Sequence, residues 1–273
     1  MKKRNIGFTA ACVLLGAILL MSVLAPLLAP YDPNQIDMKN ALAGPSAAHW
    51  LGTDNIGRDF FSRVMYGGRQ SILLALAATS LSMGLGCVIG LIAGYFGGIL
   101  DLVITSVSNI FQGLPGMTMM IAIAGIMGSG VHSMLLALVL TSWVGFSRLV
   151  RGEVMKVKQE AFIDGLRSIG AGNGRILFLH IAPNLLSSIL IIFATRIAGS
   201  ILSVAALSFL GLGLQPPTPD WSIMINEARA YYRTNPLLAI APGICIVCLS
   251  FSINVIADGL RDRFDVRRDS IPD

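Results

Sequence analysis

The sequence predicts an all-α protein that crosses a lipid bilayer about six times. Hydrophobic residues make up 54% of the 273 residues and charged residues only 13%, whereas soluble domains usually carry about 25% charged residues. Four long stretches contain no Asp, Glu, Lys or Arg. They comprise residues 6–29, 71–100, 102–147 and 237–257. Each stretch can span a hydrocarbon core, which requires about 20 apolar residues per helix.

The first charge-free stretch predicts a membrane helix at the amino terminus. Lys2, Lys3 and Arg4 precede it, as basic residues precede the core of a signal peptide. The apolar run is longer than the roughly 7 to 15 residues of a signal core, and no convincing small-residue cleavage site follows it. We therefore expect an uncleaved span.

The remaining stretches predict the other five spans. Residues 71–100 form the second, and 102–147 is long enough for two crossings with a turn at Gly128-Ser129-Gly130. The fifth span is expected between Pro183 and Phe209, which is apolar except for Arg196, and the sixth at 237–257.

The positions of the basic residues predict the orientation of the spans. When the six spans alternate, thirteen Lys and Arg residues fall on one side of the bilayer and six on the other, with Arg196 inside a span. The side richer in Lys and Arg is normally cytoplasmic, so both termini are expected in the cytoplasm. The net charge of +5 is explained by this bias and requires no nucleic-acid partner.

The spans divide the chain into four parts. The divisions are a tail with the first span (1–30), an external segment (31–70), a core of five spans (71–260) and a cytoplasmic tail (261–273). The core contains a cytoplasmic loop at 151–183 and an external loop at 209–236.

The external segment contains a candidate interfacial helix. Thr53 or Asp54 can cap it, and its apolar residues recur at helical spacing while charged residues take the other face. The apolar face holds Ile56, Phe60, Phe61, Val64 and Met65, and the polar face Arg58, Asp59, Ser62 and Arg63. Such a helix is expected to lie along the outer membrane surface, either as a partner site or as a plain re-entry helix.

The second span carries a glycine at every fourth position. Gly86, Gly90, Gly94 and Gly98 form one stripe on a helix, where another backbone can approach closely. We therefore expect this span to be an internal packing helix.

The cytoplasmic loop predicts a short amphipathic helix. Phe162, Leu166 and Ile169 share one face, and a glycine-rich stretch at 170–174 ends the pattern. An apolar face outside the bilayer must be covered, either by the body of the same protein or by a soluble partner.

The external loop is too rich in Gly and Pro for a helix over residues 211–221. Trp221, Tyr231 and Tyr232 are amphipathic residues that often lie at headgroup level. The loop is interpreted as an interfacial cap over a pore or as an ordinary surface loop.

Several nucleotide-binding, metal-binding and catalytic motifs are absent from the sequence. It has no G-x-x-x-x-G-K-[ST] phosphate-binding loop, no H-E-x-x-H zinc motif and no G-x-S-x-G nucleophile elbow. Cys245 and Cys248 form a C-x-x-C within an apolar span, without the positive surroundings that activate a thiol. Arg196 is the one charge deep in a span, and it is either a pore residue or a snorkelling side chain.

Three blocks of sequence resemble a known family. Residues 49–59 read H-W-L-G-T-D-N-I-G-R-D and continue to Ser62-Arg63. Residues 207–213 read L-S-F-L-G-L-G, followed by P-P-T-P-D-W at 216–221. The third block spans 254–258, with L-R-D at 260–262 and then Asp265. The chain resembles the membrane subunit of bacterial ABC importers of the dipeptide, oligopeptide and nickel class over essentially its whole length.

The resemblance implies a type I ABC importer fold with a cytoplasmic coupling helix that sits in a cleft of an ATPase subunit. The family's loop normally reads E-A-A, three residues, then Gly. Asp164, Gly165, Leu166 and Gly170 occupy these positions here, so both alanines are replaced, and Pro183 follows at the usual distance. With Phe162, these residues are the expected ATPase-coupling site.

The resemblance also implies the partners. They are a second homologous permease, two cytoplasmic ATPases that hold ATP and Mg²⁺, and an extracytoplasmic binding protein. Asp54, Arg58, Asp59 and Trp221 are expected to contact the binding protein or the partner permease. Peptides are the expected cargo and nickel the alternative. An ion-coupled carrier and a membrane enzyme are the rival classes.

Overall fold

The structure is a computed structural model that describes the backbone of residues 2–268 and the side chains of residues 6–262. These residues form twelve α-helices and no β-strand. In chain order they are α1 (Lys2–Val23), α2 (Ala25–Leu28), α3 (Phe60–Phe96), α4 (Gly98–Gly113), α5 (Gly116–Met127), α6 (Val131–Val157), α7 (Ala161–Ser168), α8 (Asn173–Arg175), α9 (Ala182–Asn184), α10 (Leu186–Phe209), α11 (Trp221–Glu227) and α12 (Leu237–Arg268). A π-helical turn, Ile176–Ile181, joins α8 to α9.

The prediction of an all-α fold with about six membrane spans is confirmed. The helices α1, α3, α6, α10 and α12 each contain a segment long and apolar enough to cross a membrane. A sixth candidate consists of α4 and α5, which are bent by 90° relative to each other.

The bend between α4 and α5 was not foreseen from the sequence. It occurs at Leu114, whose backbone is extended with ψ 141°. Pro115 follows, and a proline disfavours the helical conformation of the preceding residue. The predicted turn at Gly128-Ser129-Gly130 does separate α5 from α6.

The prediction of a separate interfacial helix is wrong. Asp59, rather than Thr53 or Asp54, caps α3, and Phe60 begins a helix of 37 residues that continues into the membrane span. Such a helix is about 55 Å long, well beyond the roughly 30 Å of a hydrocarbon core. The apolar spacing at Phe60, Val64 and Met65 therefore marks the first turns of α3, which pack into the protein core.

Three of the four striped glycines pack α3 against α6. A Cβ placed on Gly86 would lie 2.5 Å from Cβ of Phe146, and one on Gly90 would lie 2.6 Å from the carbonyl oxygen of Ser147. A Cβ on Gly94 would lie 2.8 Å from Cβ of Val154. The two backbones therefore approach as closely as a glycine stripe permits. Gly98 is not part of this contact: it begins α4 with φ +59°.

The bundle has two distinct ends. A Cβ on Gly259 of α12 would lie 2.5 Å from the ring of Phe8 in α1, so these two helices run side by side there. Arg261 lines the same groove as Lys156 and Ser188. The start of α1, the end of α12 and α7 therefore share one end, here called the α7 end. The opposite end, where α3 begins, is called the Trp221 end.

The last helix is longer than the predicted span at 237–257. It continues to Arg268, so residues 261–268 of the predicted tail are helical. The rest of that tail, residues 269–273, lies outside the described residues.

The glycine packing yields a first testable prediction. Gly90→Ala should lower the melting temperature of the purified protein in detergent, because its methyl group would meet the backbone of α6, and overpacking of this kind typically costs about 1–3 kcal/mol. Gly84→Ala is the matched control, since nothing lies within 4 Å of its Cβ position on the same helix. Equal melting temperatures for the two variants would contradict the packing role.

Candidate functional site

A cluster of four charged residues, three of them buried and one half-buried, holds the Trp221 end together. We call Asp54, Arg58, Arg63 and Glu227 the ion cluster. Arg58 Nε lies 2.5 Å from Asp54 Oδ2, and one of its terminal nitrogens lies 3.1 Å from Glu227 Oε2. A terminal nitrogen of Arg63 lies 3.2 Å from the same Glu227 oxygen, and Arg63 Nε lies 3.4 Å from Asp54 Oδ2. Two carboxylates thus face two guanidinium groups.

Arg63 links three separate segments of the chain. Its side chain is fully buried. It donates hydrogen bonds to the carbonyl oxygens of Pro33, at 3.1 Å, and Pro217, at 3.4 Å, in addition to Glu227. The external segment, the start of α3 and the loop before α11 are therefore tied to one guanidinium.

Asp59 performs a local structural task beside the ion cluster. Its Oδ2 accepts hydrogen bonds from the backbone N–H and the hydroxyl of Ser62, at 2.8 and 2.6 Å, and so caps α3. Its Oδ1 lies 2.8 Å from Nδ1 of His49, whose ring packs against Tyr31. The L-G-T-D-x-x-G-R-D string thus encodes a helix start and its supporting turn.

Trp221 is enclosed by α3. Its indole N–H donates to the carbonyl oxygen of Val64 at 2.8 Å, and Gly67 and Gly68 leave room for its ring. Asp220 precedes it and caps α11 by accepting from the backbone N–H groups of Ser222 and Ile223.

Asp220 also joins α11 to α3, because its Oδ2 accepts a 2.7 Å hydrogen bond from the hydroxyl of Ser71. Burial raises the pKa of the Asp220 carboxyl above its usual value, while the hydrogen bonds it accepts act in the opposite direction.

The predicted external contact residues are not on the surface. Asp54, Arg58, Asp59 and Trp221 are at most 5% exposed, so none of them can present its side chain to another protein in this conformation. Charged residues are normally exposed, but here each charge is paired within the chain. Asp54, Arg58 and Asp59 belong to the L-G-T-D-x-x-G-R-D string, whose charged residues therefore serve the internal structure. Of the two tyrosines expected at headgroup level, Tyr232 is exposed and Tyr231 half-buried.

The coupling segment forms the expected short helix, α7, at the end of the bundle opposite Trp221. Phe162 and Ile169 are 45% and 79% exposed and point away from the body. Asp164 and Arg167 form an exposed ion pair at 3.0 Å. Gly170 has φ +76°, a conformation that favours glycine, and ends the segment.

A residue that the sequence reasoning missed anchors α7. Ile163 is fully buried and joins a hydrophobic cluster formed by α3, α6 and the segment before α10. The members of this cluster are Leu91, Tyr95, Val150, Val154, Ile163, Ile176, Leu177, Ile181 and Leu185. Leu166 packs against it, and the Tyr95 hydroxyl lies 2.8 Å from Asn173 Oδ1. Ile163 could have been found from its i, i+3 spacing with Leu166.

A groove between α6 and α10 opens near the α7 end. It encloses about 350 Å³ and is lined by Leu149, Glu153, Lys156, Ser188, Ile191, Ile192, Thr195 and Arg261. Arg196 follows Thr195 on α10 and lies against Gly145 of α6. Within residues 6–262, no three His, Cys, Asp or Glu side chains group closely enough to hold a metal ion.

Comparisons with known proteins match most of the chain. A family described as binding-protein-dependent transport system inner membrane component matches residues 86–269, and the N-terminal membrane domain of oligopeptide transport permease C matches residues 3–45. The chain is 43% identical to the glutathione transport system permease protein GsiD of Pectobacterium atrosepticum, over 88% of this chain and 80% of that protein. It is 40% identical to GsiD of Escherichia coli O157:H7, over 97% of this chain and 87% of that protein.

The ion cluster yields a second prediction. Glu227→Gln should lower the melting temperature markedly, because it leaves Arg58 and Arg63 opposite a single carboxylate, and breaking a buried ion pair typically costs about 3–5 kcal/mol. Thermal unfolding of the detergent-solubilised protein measures this effect.

The matched control for that prediction is Asp164→Asn, which breaks the exposed pair with Arg167. Such a pair contributes only about 0–1 kcal/mol. The ion cluster would not be a structural element if both variants unfolded at the temperature of the unmodified protein.

Proposed function

The chain belongs to the family of inner-membrane components of binding-protein-dependent transport systems, the pore-forming permeases of ABC importers, and we propose that its cargo is a peptide of the size and chemistry of glutathione. It is a multi-pass protein of the inner membrane and a transport component. The observation that carries the cargo proposal is 40% identity over 97% of the chain with a permease whose name gives glutathione transport.

Peptide cargo is favoured over nickel. The relatives with the highest similarity reported above carry glutathione in their names, and the amino-terminal match is to a permease of oligopeptide transport. The family's dependence on a binding protein also distinguishes the chain from ion-coupled carriers. The relevant cargo class is therefore short peptides with free carboxylates.

The energy source lies in other subunits. The sequence has no G-x-x-x-x-G-K-[ST] loop, so we assign ATP and Mg²⁺ to two partner ATPases and no cofactor to this chain. A second, homologous permease completes the pore, and an extracytoplasmic binding protein delivers the peptide. The two permeases form a heterodimer.

The ATPases act at the α7 end. The exposed side chains of Phe162 and Ile169 supply an apolar surface that no other part of the described chain covers. The coupling segment also includes Asp164, Gly165, Leu166 and Gly170. Ile163 on the inner side transmits displacement of α7 to α3 and α6 through the cluster beneath it. We therefore propose that the α7 end lies in the cytoplasm, together with the start of α1 and the end of α12, and the excess of Lys and Arg predicted for that side supports this orientation.

A reconstitution experiment tests the proposed function. Proteoliposomes that contain this chain, its partner permease and both ATPases should accumulate radiolabelled glutathione when the loaded binding protein and ATP are supplied. Omission of the ATPases should abolish uptake. ATP-independent uptake driven by an ion gradient would contradict the proposal, and so would uptake of nickel with no uptake of peptide.

The coupling assignment yields its own prediction. Ile169→Asp should reduce co-purification of the ATPase subunits at least tenfold, because a charge replaces an exposed apolar contact. Gly170→Val should also uncouple ATP hydrolysis from transport, because valine at φ +76° is strained and would redirect the segment.

Membrane insertion should be normal in both coupling variants. Ile36→Asp is the matched control, since Ile36 is 60% exposed at the Trp221 end. Normal ATPase binding and transport in Ile169→Asp and Gly170→Val would refute the coupling role.

A further inference from the structure

Arg196 is a charged side chain in the middle of a membrane helix. It is the eleventh residue of α10, whose 24 residues otherwise carry no charge. Its side chain is exposed, and among the described residues it has neither a hydrogen bond nor an ion pair. A charge at this depth is costly and requires water, a counter-charge or a pore lining.

Room for the guanidinium comes from a glycine on the neighbouring helix. A Cβ on Gly145 of α6 would lie 3.1 Å from a terminal nitrogen of Arg196 and 3.2 Å from Cζ. A larger residue at position 145 would therefore displace the head group. The arginine is positioned against α6, on the surface that the two helices share, rather than directed toward an end of the bundle.

Arg196 lies beside the α6–α10 groove, whose lining includes its chain neighbour Thr195. The antiparallel helices pair Gly145 with Arg196 and Glu153 with Ser188, and Leu149 and Ile192 line the groove between them. The groove therefore runs about two helical turns from Arg196 to the α7 end. This route from the middle of the span toward the proposed cytoplasmic side has a mixed lining. Its polar side chains are Glu153, Lys156, Ser188, Thr195 and Arg261, and its apolar ones are Leu149, Ile191 and Ile192.

The charges along this route favour an anion. Glu153 is the only acidic residue that lines the groove among the described residues, and its carboxylate already accepts hydrogen bonds from Lys156 at 2.7 Å and Ser188 at 3.3 Å. Lys156 and Arg261 also line the groove. The lining of the route, together with Arg196 beside it, carries more cationic than anionic side chains.

We propose that Arg196 binds a carboxylate of the peptide during its passage, so that this residue selects anionic peptides within the pore. The inference rests on the proposed function. A planar guanidinium can bind a carboxylate with two parallel hydrogen bonds, and glutathione-like peptides carry carboxylates that are ionised at neutral pH. A carboxylate of the partner permease is the competing occupant, and the experiment separates the two.

The test uses the complete reconstituted importer with the loaded binding protein. Arg196→Gln should lower the rate of glutathione uptake at least tenfold, the loss expected when a hydrogen-bonded charge is removed. Stimulation of ATP hydrolysis by the loaded binding protein should remain, because docking and coupling do not involve this residue. Arg196→Lys should restore a substantial part of the uptake, since it keeps the positive charge.

Two further variants control the test. Arg233→Gln removes an exposed arginine that stacks on Tyr232 outside the spans, and its uptake should equal that of the unmodified protein. Gly145→Val keeps the arginine at position 196 but displaces its guanidinium, so uptake should fall as in Arg196→Gln. This variant tests the proposal even if Arg196→Gln does not assemble.

The outcomes separate the inference from the proposed function. Unchanged uptake in Arg196→Gln and Gly145→Val, with normal uptake in the unmodified importer, would overturn the inference alone. Loss of co-purification with the partner permease in Arg196→Gln, with normal uptake in Gly145→Val, would assign Arg196 to an intersubunit ion pair and also overturn it. If the unmodified importer takes up no peptide, both the proposed function and the inference are refuted.

Discussion

The architecture depends on the pairing of two buried arginines with two carboxylates at the Trp221 end. Arg63 is fully buried, and a charge in that position is tolerated only because Asp54, Glu227 and two backbone carbonyls surround it. This pairing determines where the external segment lies, where α3 begins and how the loop before α11 is held. Trp221 can then pack on Gly67 and Gly68 because α3 and α11 are already aligned.

The helices α3 and α6 connect the two ends of the molecule. Gly86, Gly90 and Gly94 bring their backbones into direct contact, so the two helices pack closely along this stretch. At one end the ion cluster attaches to α3, and at the other Ile163 of α7 packs between α3 and α6. In the proposed function, a displacement of α7 by an ATPase would reach both α3 and α6 through this cluster.

An element could be predicted from the sequence where a short stretch of residues determines it, and could not where contacts between distant residues decide it. The membrane spans followed from the absence of charge, because no other context accommodates about 20 consecutive uncharged, largely apolar residues so readily. The glycine stripe was equally readable, since close helix approach requires a small residue at every fourth position. The break at Leu114 was not predicted, because the absence of charge over residues 102–147 does not show where a helix bends, and membrane helices tolerate proline. The prediction of an interfacial helix was wrong because it placed Arg58, Asp59 and Arg63 on a polar face, whereas they are buried.

In the coupling segment, too, the sequence predicted the helix, and packing decided which of its residues are buried. The spacing of Phe162, Leu166 and Ile169 indicated an amphipathic helix, but not which residues face the body of the protein. Packing decided that Ile163 lies inside while Phe162 and Ile169 remain exposed.

The sequence by itself determined the spans, the excess of basic residues on one side, the missing ATP motif and the family resemblance. These properties are set by composition and short-range order, which the chain carries before it folds. Only the tertiary structure decided that the charges of the L-G-T-D string are internal, that Gly145 makes room for Arg196, and which face of α7 is free. The reason is physical: whether a charge is exposed or paired depends on partners up to 169 positions away, as for Arg58 and Glu227.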